Sequence, residues 1–401
     1  MIRITDSLAG KRIRFHCVES SRDLFEVRDF IRDHKWLGMD TESTSLNCYR
    51  PDWLLRTVQW GNKYDAYVVP ARYRKFIDWA FRQPVKLIGH NGPHDIRCID
   101  QFLGYPTGVV CAGETYIPAH HADSRGKDEG GSGLGLKELS IAKIDYRAGK
   151  WDIARKEAFK EILIRVPGEF YKSGPKKGQP KYRKAKLEEG WSLIRWDHPA
   201  MIAYAASDPL LTYWLWSLQQ GLLKQFGSLY EFDHRVQLAT DRLQRRGMLG
   251  DRTYIRKLDR AYLRKAEALK ERCRKEFRCS NIQSTVQVAD TLLDLGAELY
   301  EETPSGKWKM DGTILRGLMD DPYSNGKVRD FIHCVLVAKQ LMKRSSSYTD
   351  AMLREMDENG RIHTSLNALA ARTSRMSASN PPLQQLPTKD REDELMWSSE
   401  E

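Results

Sequence analysis

An apolar run that ends in two acidic residues constrains the fold of this chain more than any other feature. Residues Trp36–Met39 are typical of a buried strand, and Asp40 and Glu42 follow them directly. Because side chains two residues apart point to the same face of a strand, both carboxylates can face one spot. The sequence therefore predicts a strand that presents two acidic groups together.

Two more carboxylates occur in similarly defined positions. Asp95 ends the segment Asn91-Gly-Pro-His-Asp95, which follows a predicted strand over residues 85–88 and begins a predicted helix. Tyr204 and Asp208 are four residues apart in the apolar stretch 201–223, so they share one helix face. Four converging carboxylates repel one another unless divalent cations lie between them, and oxygen ligands suit Mg²⁺ or Mn²⁺ better than Zn²⁺.

Composition narrows the classes of protein that fit. The chain has 401 residues, enough for two or three domains, and its net charge of +11 favours polyanions but also fits a basic soluble protein. It contains no apolar run of about eighteen residues and no signal-peptide pattern, so no membrane span is expected. Its seven cysteines form no Cys-x2-Cys pair, which argues against zinc and disulfides and favours a reducing cytoplasm.

The order of predicted elements divides the chain. Up to about residue 223, strands and helices alternate; residues 54–60 and 66–69 are predicted to pair as a hairpin beside strand 36–40 in a mixed sheet. Beyond residue 231, long helical patterns cover 251–277 and 327–356. Residues 171–187 contain seven Lys or Arg and no acid. This segment is either a solvated loop or a contact to DNA phosphates.

In order and spacing, the acidic segments resemble the three motifs of DEDDy exonucleases: Asp-x-Glu, Asn-x3-Asp and Tyr-x3-Asp. The resemblance implies 3′–5′ exonuclease activity with two divalent cations, Mg²⁺ or Mn²⁺, held by the four carboxylates. Asp40 would bridge both ions, Glu42 and Asp208 would complete the first site, and Asp95 would support the second. Tyr204 would orient the attacking water, and Asn91 would cap the helix or position Asp95 and contact DNA. His90 and His94 flank the site and receive no role.

The segment from Arg372 to Pro387 is similar to the primer-end motif of family A (DNA polymerase I-like) DNA polymerases. The resemblance implies DNA contacts by Arg372, Arg375 and Gln384, while Ser374 stands where the family has glycine. Segments 243–251 and 281–287 show weaker similarity to the connection and the thumb of that family. The compact layout is similar to that of phage polymerases.

These resemblances predict an α/β ribonuclease H-like exonuclease domain over residues 1–223, a helical thumb and connection over 224–360, and an incomplete palm over 361–401. The palm and fingers motifs do not occur in the sequence, so we expect a split, interrupted or truncated polymerase gene. The expected function is proofreading during DNA replication, on a single-stranded 3′ end and a primer–template duplex. The alternatives are a non-catalytic DNA-binding half that docks a separate palm and fingers polypeptide, and an RNase D-like exoribonuclease.

Overall fold

The computed structural model describes residues 1–171 and 173–386. The chain forms two compact units. The first contains Met1–Arg246 together with Leu366–Ser377, and the second contains Gly247–Ser365 together with the described residues 378–386. The predicted exonuclease, thumb and palm boundaries are functional divisions, and they stay predictions.

A seven-stranded mixed sheet forms the centre of the first unit, with the order β1-β2-β5-β4-β3-β6-β7. Strand β3 pairs antiparallel with β4 and parallel with β6, and β4 pairs antiparallel with β5. The predicted hairpin is therefore confirmed, whereas the N-terminal hairpin of β1 and β2 was not predicted. The strands are Ile2–Leu8 (β1), Lys11–Cys17 (β2), Trp36–Ser43 (β3), Leu55–Gly61 (β4), Asp65–Pro70 (β5), Lys86–Gly89 (β6) and Gly113–Glu114 (β7).

Helices cover both faces of this sheet. They are Leu24–Asp33 (α1), Arg74–Phe81 (α2), Gly92–Leu103 (α3), Tyr116–Ala122 (α4), Leu136–Lys143 (α5), Lys150–Glu161 (α6), Leu187–Leu193 (α7), Pro199–Leu218 (α8) and Gln220–Arg246 (α9). Helix α8 packs through Ile202 and Leu210 on one face, against apolar side chains of β2 and β5. Residues of α1, α2 and α3 fill the core on the other face. The predicted helix over 201–223 is real but is divided between α8 and α9.

Polar contacts join the long helix α9 to the rest of the first unit. Asp241 forms an ion pair with Arg97, and its other oxygen accepts from Arg245 Nε at 2.6 Å. Arg245 also pairs with Asp100. These ion pairs attach the C-terminal part of α9 to helix α3 of the same unit.

An antiparallel hairpin includes part of the basic segment 171–187. Its strands are Leu163–Phe170 (β8), which precedes that segment, and Pro180–Lys184 (β9), which lies in it; the register is irregular between Arg165 and Phe170. The loop alternative was therefore wrong for residues 180–184, and the alternative of a contact to DNA phosphates stays a prediction. Gly and Pro interrupt the alternation of side chains that would have indicated strands.

The second unit is mainly helical, as predicted. Its helices are Arg252–Glu276 (α10), Thr285–Asp294 (α11), Gly312–Asp320 (α12), Gly326–Arg344 (α13) and Asp350–Arg354 (α14). Asp251, Ser284, Asp311 and Asn325 cap the first four of these with their side chains. The apolar core centres on Phe331 and Val335 of α13. The predicted helix over 327–356 is interrupted, because a π-turn at Ser345–Thr349 separates α13 from α14.

Short strands complete the described chain. Met248–Leu249 (β10) pairs antiparallel with Arg361–Ile362 (β11) in the second unit. Ser365–Asn367 (β12) and Ser377–Ser379 (β13) occur where the chain passes between the units. All seven cysteines are free and buried. Among the described residues, no helix is long and apolar enough to span a membrane.

Candidate metal centre

Three carboxylates from two distant segments meet at the end of strand β3. Asp40 and Glu42 project from β3, and Asp208 projects from helix α8. One oxygen from each lies within 4.8 Å of the others. Glu42 and Asp208 are each only 6% exposed, so the cluster is held largely out of water. The strand and helix predicted from sequence therefore do bring these three side chains together.

A close approach of the two backbones accounts for this convergence. Gly38 of β3 lies against Pro209, the residue that follows Asp208 in α8. A Cβ at position 38 would be 2.0 Å from the Pro209 carbonyl oxygen, which is far inside van der Waals contact. Only glycine permits this spacing without a backbone shift. Gly38 thus brings the helix close enough for Asp208 to reach the two strand carboxylates.

Asp95 lies beside the three-carboxylate cluster rather than within it. Its carboxylate accepts hydrogen bonds from the Thr41 backbone N–H at 3.1 Å and from the Thr41 hydroxyl at 2.6 Å. Thr41 separates Asp40 from Glu42 on the strand. The contact therefore ties the first turn of α3 to the middle of the acidic segment, and it places Asp95 close enough to Asp40 for mutual repulsion.

Glu114 is a buried carboxylate that the sequence analysis missed. It accepts hydrogen bonds from the backbone N–H groups of Asn91 at 2.8 Å and Gly92 at 2.9 Å. Its carboxylate thereby satisfies backbone donors at the start of α3, the helix that carries Asp95. Asn91 occupies the N-cap position with φ of 66°, but its side chain makes no capping hydrogen bond. Asn91 thus occupies the predicted cap position, but a cap by its side chain is contradicted, because Glu114 accepts from the backbone donors there. The alternative that Asn91 positions Asp95 stays a prediction.

Two cations flank the ring of Tyr204, one turn before Asp208. Lys137 Nζ lies 4.6 Å from the ring centroid, and the Arg155 guanidinium carbon lies 4.7 Å from it. Lys137 also pairs with Asp208 and donates to Ser207 Oγ at 2.8 Å. The sequence analysis missed both cations, since neither belongs to a recognisable motif and both reach the site only through the packing of α5 and α6.

Burial and mutual repulsion hold protons on the acidic groups. Burial and the neighbouring Glu42 raise the pKa of Asp40 well above its usual value. Burial raises the pKa of Glu42 to about 8, and burial together with Asp40 raises the pKa of Asp95. Burial also lowers the pKa of Lys137 to about 8. The groups are therefore costly to leave charged without an added positive charge.

The donor set fits a divalent cation. Carboxylate oxygens are the ligands that Mg²⁺ and Mn²⁺ prefer. Glu42 Oε1 is buried and has no hydrogen-bond partner among the described residues, as expected of an oxygen that serves another ligand. The observed cluster of Asp40, Glu42 and Asp208 is thus consistent with divalent metal binding.

The predicted primer-end residues lie elsewhere in the described chain. Arg372 and Arg375 are exposed in the first unit, and Arg372 pairs with Glu129 at 3.1 Å. Gln384 is exposed in a short turn of the second unit, and Pro387 lies outside the described residues. Ser374 has φ of 57°, a left-handed conformation that favours glycine. The glycine of the family motif that this segment resembles would adopt this conformation without strain.

Two family models match separate parts of the chain. The model described as 3′-5′ exonuclease matches residues 15–140, and the model described as DNA polymerase family A matches residues 252–397. Relatives match over nearly the whole chain: the DNA polymerases of Mycobacterium phages D29 and L5 are each 28% identical over 97% of it. In sequence, the chain is similar to DNA polymerases of family A. It spans 62% of the length of each of these two phage proteins.

Other family A relatives support the assignment over shorter regions and at the level of the fold. A DNA polymerase I from Chloroflexus aurantiacus is 31% identical over 47% of the chain and 20% of its own length. A solved structure of the POL domain of Pol1 from M. smegmatis, in complex with DNA primer-template and dNTP, has a TM-score of 0.60. That match covers 95% of this chain and 57% of the other at 14% identity. The predicted fold class, an α/β ribonuclease H-like exonuclease domain followed by a mainly helical region, is confirmed.

Proposed function

We propose that the first unit removes nucleotides from DNA 3′ ends by hydrolysis, as the proofreading exonuclease of a family A polymerase. The observation that carries the proposal is the convergence of Asp40, Glu42 and Asp208 from two distant segments. Tyr204 and Asp208 fall outside both family-model matches, so geometry supports their assignment independently of those matches.

In this proposal, Asp40, Glu42 and Asp208 would hold one divalent cation, and Asp40 and Asp95 would hold a second. Such a pair would lower the pKa of the attacking water and neutralise charge on the leaving 3′ oxygen. Thr41 keeps one Asp95 oxygen occupied through its N–H and hydroxyl. The other oxygen of Asp95 would be the one available to support the second cation.

Tyr204 is the residue that orients the water. Its ring is fixed between Lys137 and Arg155, and it packs on Trp191 at a centroid distance of 5.7 Å. Burial and the nearby Glu42 raise the pKa of the Tyr204 hydroxyl well above its usual value, so the phenol keeps its proton. A neutral, fixed hydroxyl can hold a water at one position without competing for a cation.

The substrate in this proposal is DNA, presented as a single-stranded 3′ end from a primer–template duplex. Asn91 is exposed beside the start of α3, where a strand entering the site would pass. Arg372, Arg375 and Gln384 are assigned to the duplex on the basis of the family motif. These side chains are exposed, as a contact to DNA requires.

The decisive experiment measures cleavage of a 5′-labelled single-stranded DNA with Mg²⁺. Asp40→Ala combined with Glu42→Ala is expected to lower the rate by about 10³-fold or more, because the cation ligands are removed. Asp294→Ala combined with Glu298→Ala removes two exposed acids of the second unit and is the charge-matched control. Equal cleavage by the wild type and the Asp40–Glu42 variant would reject the site. Faster cleavage of a matched RNA strand would favour the exoribonuclease alternative.

A further inference from the structure

The β8–β9 hairpin lies in a part of the chain that neither family model matches, since the matches end at residue 140 and resume at 252. The segment from Leu163 to Leu187 contains eight Lys or Arg and a single acid, Glu169. The function proposed for the carboxylates assigns no role to this hairpin. The two faces of the hairpin differ in whether their cations are paired with acids, and this difference indicates a role.

The register of the hairpin sorts its side chains by face. Arg165 is directly opposite Tyr182, and Leu163 is directly opposite Lys184. Opposed residues of an antiparallel pair point to the same side, and residues two apart on one strand share that side. Arg165, Tyr182 and Lys184 therefore lie together, and we call them the open face. Arg183, opposite Ile164, points to the other side.

The cations of the second face are already paired with acids. Arg183 forms two hydrogen bonds with Glu189, at 2.6 and 2.7 Å, and Lys181 contacts Glu169 at 3.2 Å. Within the described part of the chain, Arg165 and Lys184 take part in no ion pair. The positive charge on the open face is therefore uncompensated, while that on the second face is largely neutralised.

An exposed aromatic ring neighbours both unpaired cations. Tyr182 is 52% exposed, and it lies directly opposite Arg165 and two residues from Lys184 on the same strand. Arg165 and Lys184 are exposed as well. Water-exposed aromatic rings interleaved with cations suit a strand with unpaired bases, because the ring stacks on a base while the cations contact phosphates.

The base of the hairpin packs beside the carboxylate site. Helix α7 begins three residues after β9 and carries Trp191, whose ring contacts that of Tyr204. On the other side of the hairpin, α6 ends at Glu161 and carries Arg155, which also packs on Tyr204. Both chain segments that support the hairpin therefore contact the residue proposed to orient the water.

We propose that the open face, Arg165 with Tyr182 and Lys184, binds single-stranded DNA. The proposal rests on the proposed exonuclease function, because it supplies the contact that holds the strand whose 3′ end is cleaved. Phosphate groups pair with Arg165 and Lys184, and one base stacks on Tyr182. Binding by this face is independent of base identity, since stacking and phosphate contacts read no sequence.

The test measures binding of fluorescein-labelled oligo(dT) to the full chain by anisotropy in EDTA, where hydrolysis does not proceed. The variant Arg165→Gln with Tyr182→Ala and Lys184→Gln is expected to raise Kd about 10-fold or more. The slope of log Kd against log salt should fall by about 1.4, for two lost phosphate contacts on a single strand. Wild-type affinity and an unchanged salt slope would overturn the proposal.

Two controls make the test specific. Lys181→Gln with Arg183→Gln also removes two positive charges, but from the second face, where both are paired with acids. This variant is expected to change Kd by less than about threefold. An equal loss in that variant would show that net charge, not the open face, determines binding. Tyr182→Phe with Arg165→Lys and Lys184→Arg keeps the ring and both charges, so it should retain most of the affinity. Failure of this variant to bind would contradict the stacking and phosphate roles.

The substrate class and the site are tested separately. Blunt duplex DNA of the same length should lose less affinity than oligo(dT) in the open-face variant; an equal loss would overturn the single-strand assignment. The variant Asp40→Ala with Glu42→Ala reports on the carboxylates through cleavage, whereas the open-face variant reports on the hairpin through binding in EDTA. The two measurements therefore distinguish failure of the proposed exonuclease site from failure of the proposed DNA-binding face.

Discussion

The carboxylate cluster and the open face of the hairpin carry opposite charges in opposite surroundings. Glu42 and Asp208 are each 6% exposed, whereas Tyr182, the ring beside Arg165 and Lys184, is 52% exposed. Burial raises the pKa of Glu42 to about 8, so its charge is expensive until a cation arrives. The exposed cations keep their hydration and gain affinity by releasing ions from DNA. The difference in burial indicates that the carboxylates are arranged for the proposed reaction, whereas the exposed face is arranged to bind the DNA strand.

Substitutions of the two tyrosines, Tyr204 and Tyr182, give the most direct test of this difference. Tyr204→Phe is expected to lower kcat about 10²-fold or more, because the hydroxyl that orients the water is lost. Tyr182→Ala should act mainly on KM, because it removes a stacking contact outside the reaction. Steady-state cleavage of single-stranded DNA at several concentrations separates the two effects. If both variants lowered kcat alike, the division between reaction and capture would be wrong.

The packing of Gly38 on Pro209 tests whether the cluster needs its rigid support. Gly38→Ala places a Cβ 2.0 Å from the Pro209 carbonyl oxygen, so β3 and α8 must separate. A displacement of about 1 Å at a reaction centre lowers the rate about 10²-fold, and the overpacking should cost about 1–3 kcal/mol of unfolding free energy. Cleavage assays and urea denaturation measure both effects.

Gly221→Ala is the matched control for that substitution, since a Cβ at position 221 meets no atom within 4 Å. It should leave both cleavage and the denaturation midpoint close to wild type, and DNA binding in EDTA should be unaffected in either glycine variant. Wild-type cleavage by Gly38→Ala would show that the spacing of strand and helix does not control the site.

The protons held by the carboxylates give the smallest effect. Because the pKa of Glu42 is raised to about 8, the group is largely protonated at pH 7 without a cation, and cation binding must release that proton. We expect Mg²⁺ affinity to weaken as pH falls from 8 to 6, by up to about tenfold per unit. Isothermal titration in buffers of different ionisation enthalpy measures the released protons. Glu42→Gln should reduce the number by about one.

The hairpin face provides the counterpart of that experiment. Affinity of the chain for oligo(dT) in EDTA should change little over the same pH range, because the proposed phosphate and base contacts of the open face do not involve the carboxylates. A Mg²⁺ affinity independent of pH between 6 and 8 would contradict the proton-loaded cluster. A DNA affinity that followed the titration of the carboxylates would contradict the separation of the two surfaces.

The parts of the site that local sequence determines were predicted, and the parts that depend on packing were not. Strand alternation placed Asp40 with Glu42, and helical spacing placed Tyr204 with Asp208. Both relations survive in the structure because they need only one element each. Asp95 was predicted from the strand–turn–helix pattern around it.

Residues that reach the site from other strands and helices were not predicted from the sequence. Glu114 reaches the start of α3 from a neighbouring strand, and Lys137 and Arg155 reach Tyr204 from separate helices. No periodicity encodes such contacts, since each depends on where another element packs. The hairpin was missed for a different reason: Pro167 and Gly168 interrupt the alternation of β8, and β9 begins with Pro180.

The return of the peptide Leu366–Ser377 to the first unit affects any attempt to dissect the protein. Tyr116 donates its hydroxyl to the Leu369 carbonyl at 2.9 Å, His120 Nε2 lies 3.0 Å from the Ala371 carbonyl oxygen, and Leu369 fills a cluster with Ile117. A gene fragment stopped at codon 246 would leave these groups uncovered. Isolating the carboxylate unit therefore calls for a linker that rejoins the distant peptide in cis, or for its addition as a synthetic strand.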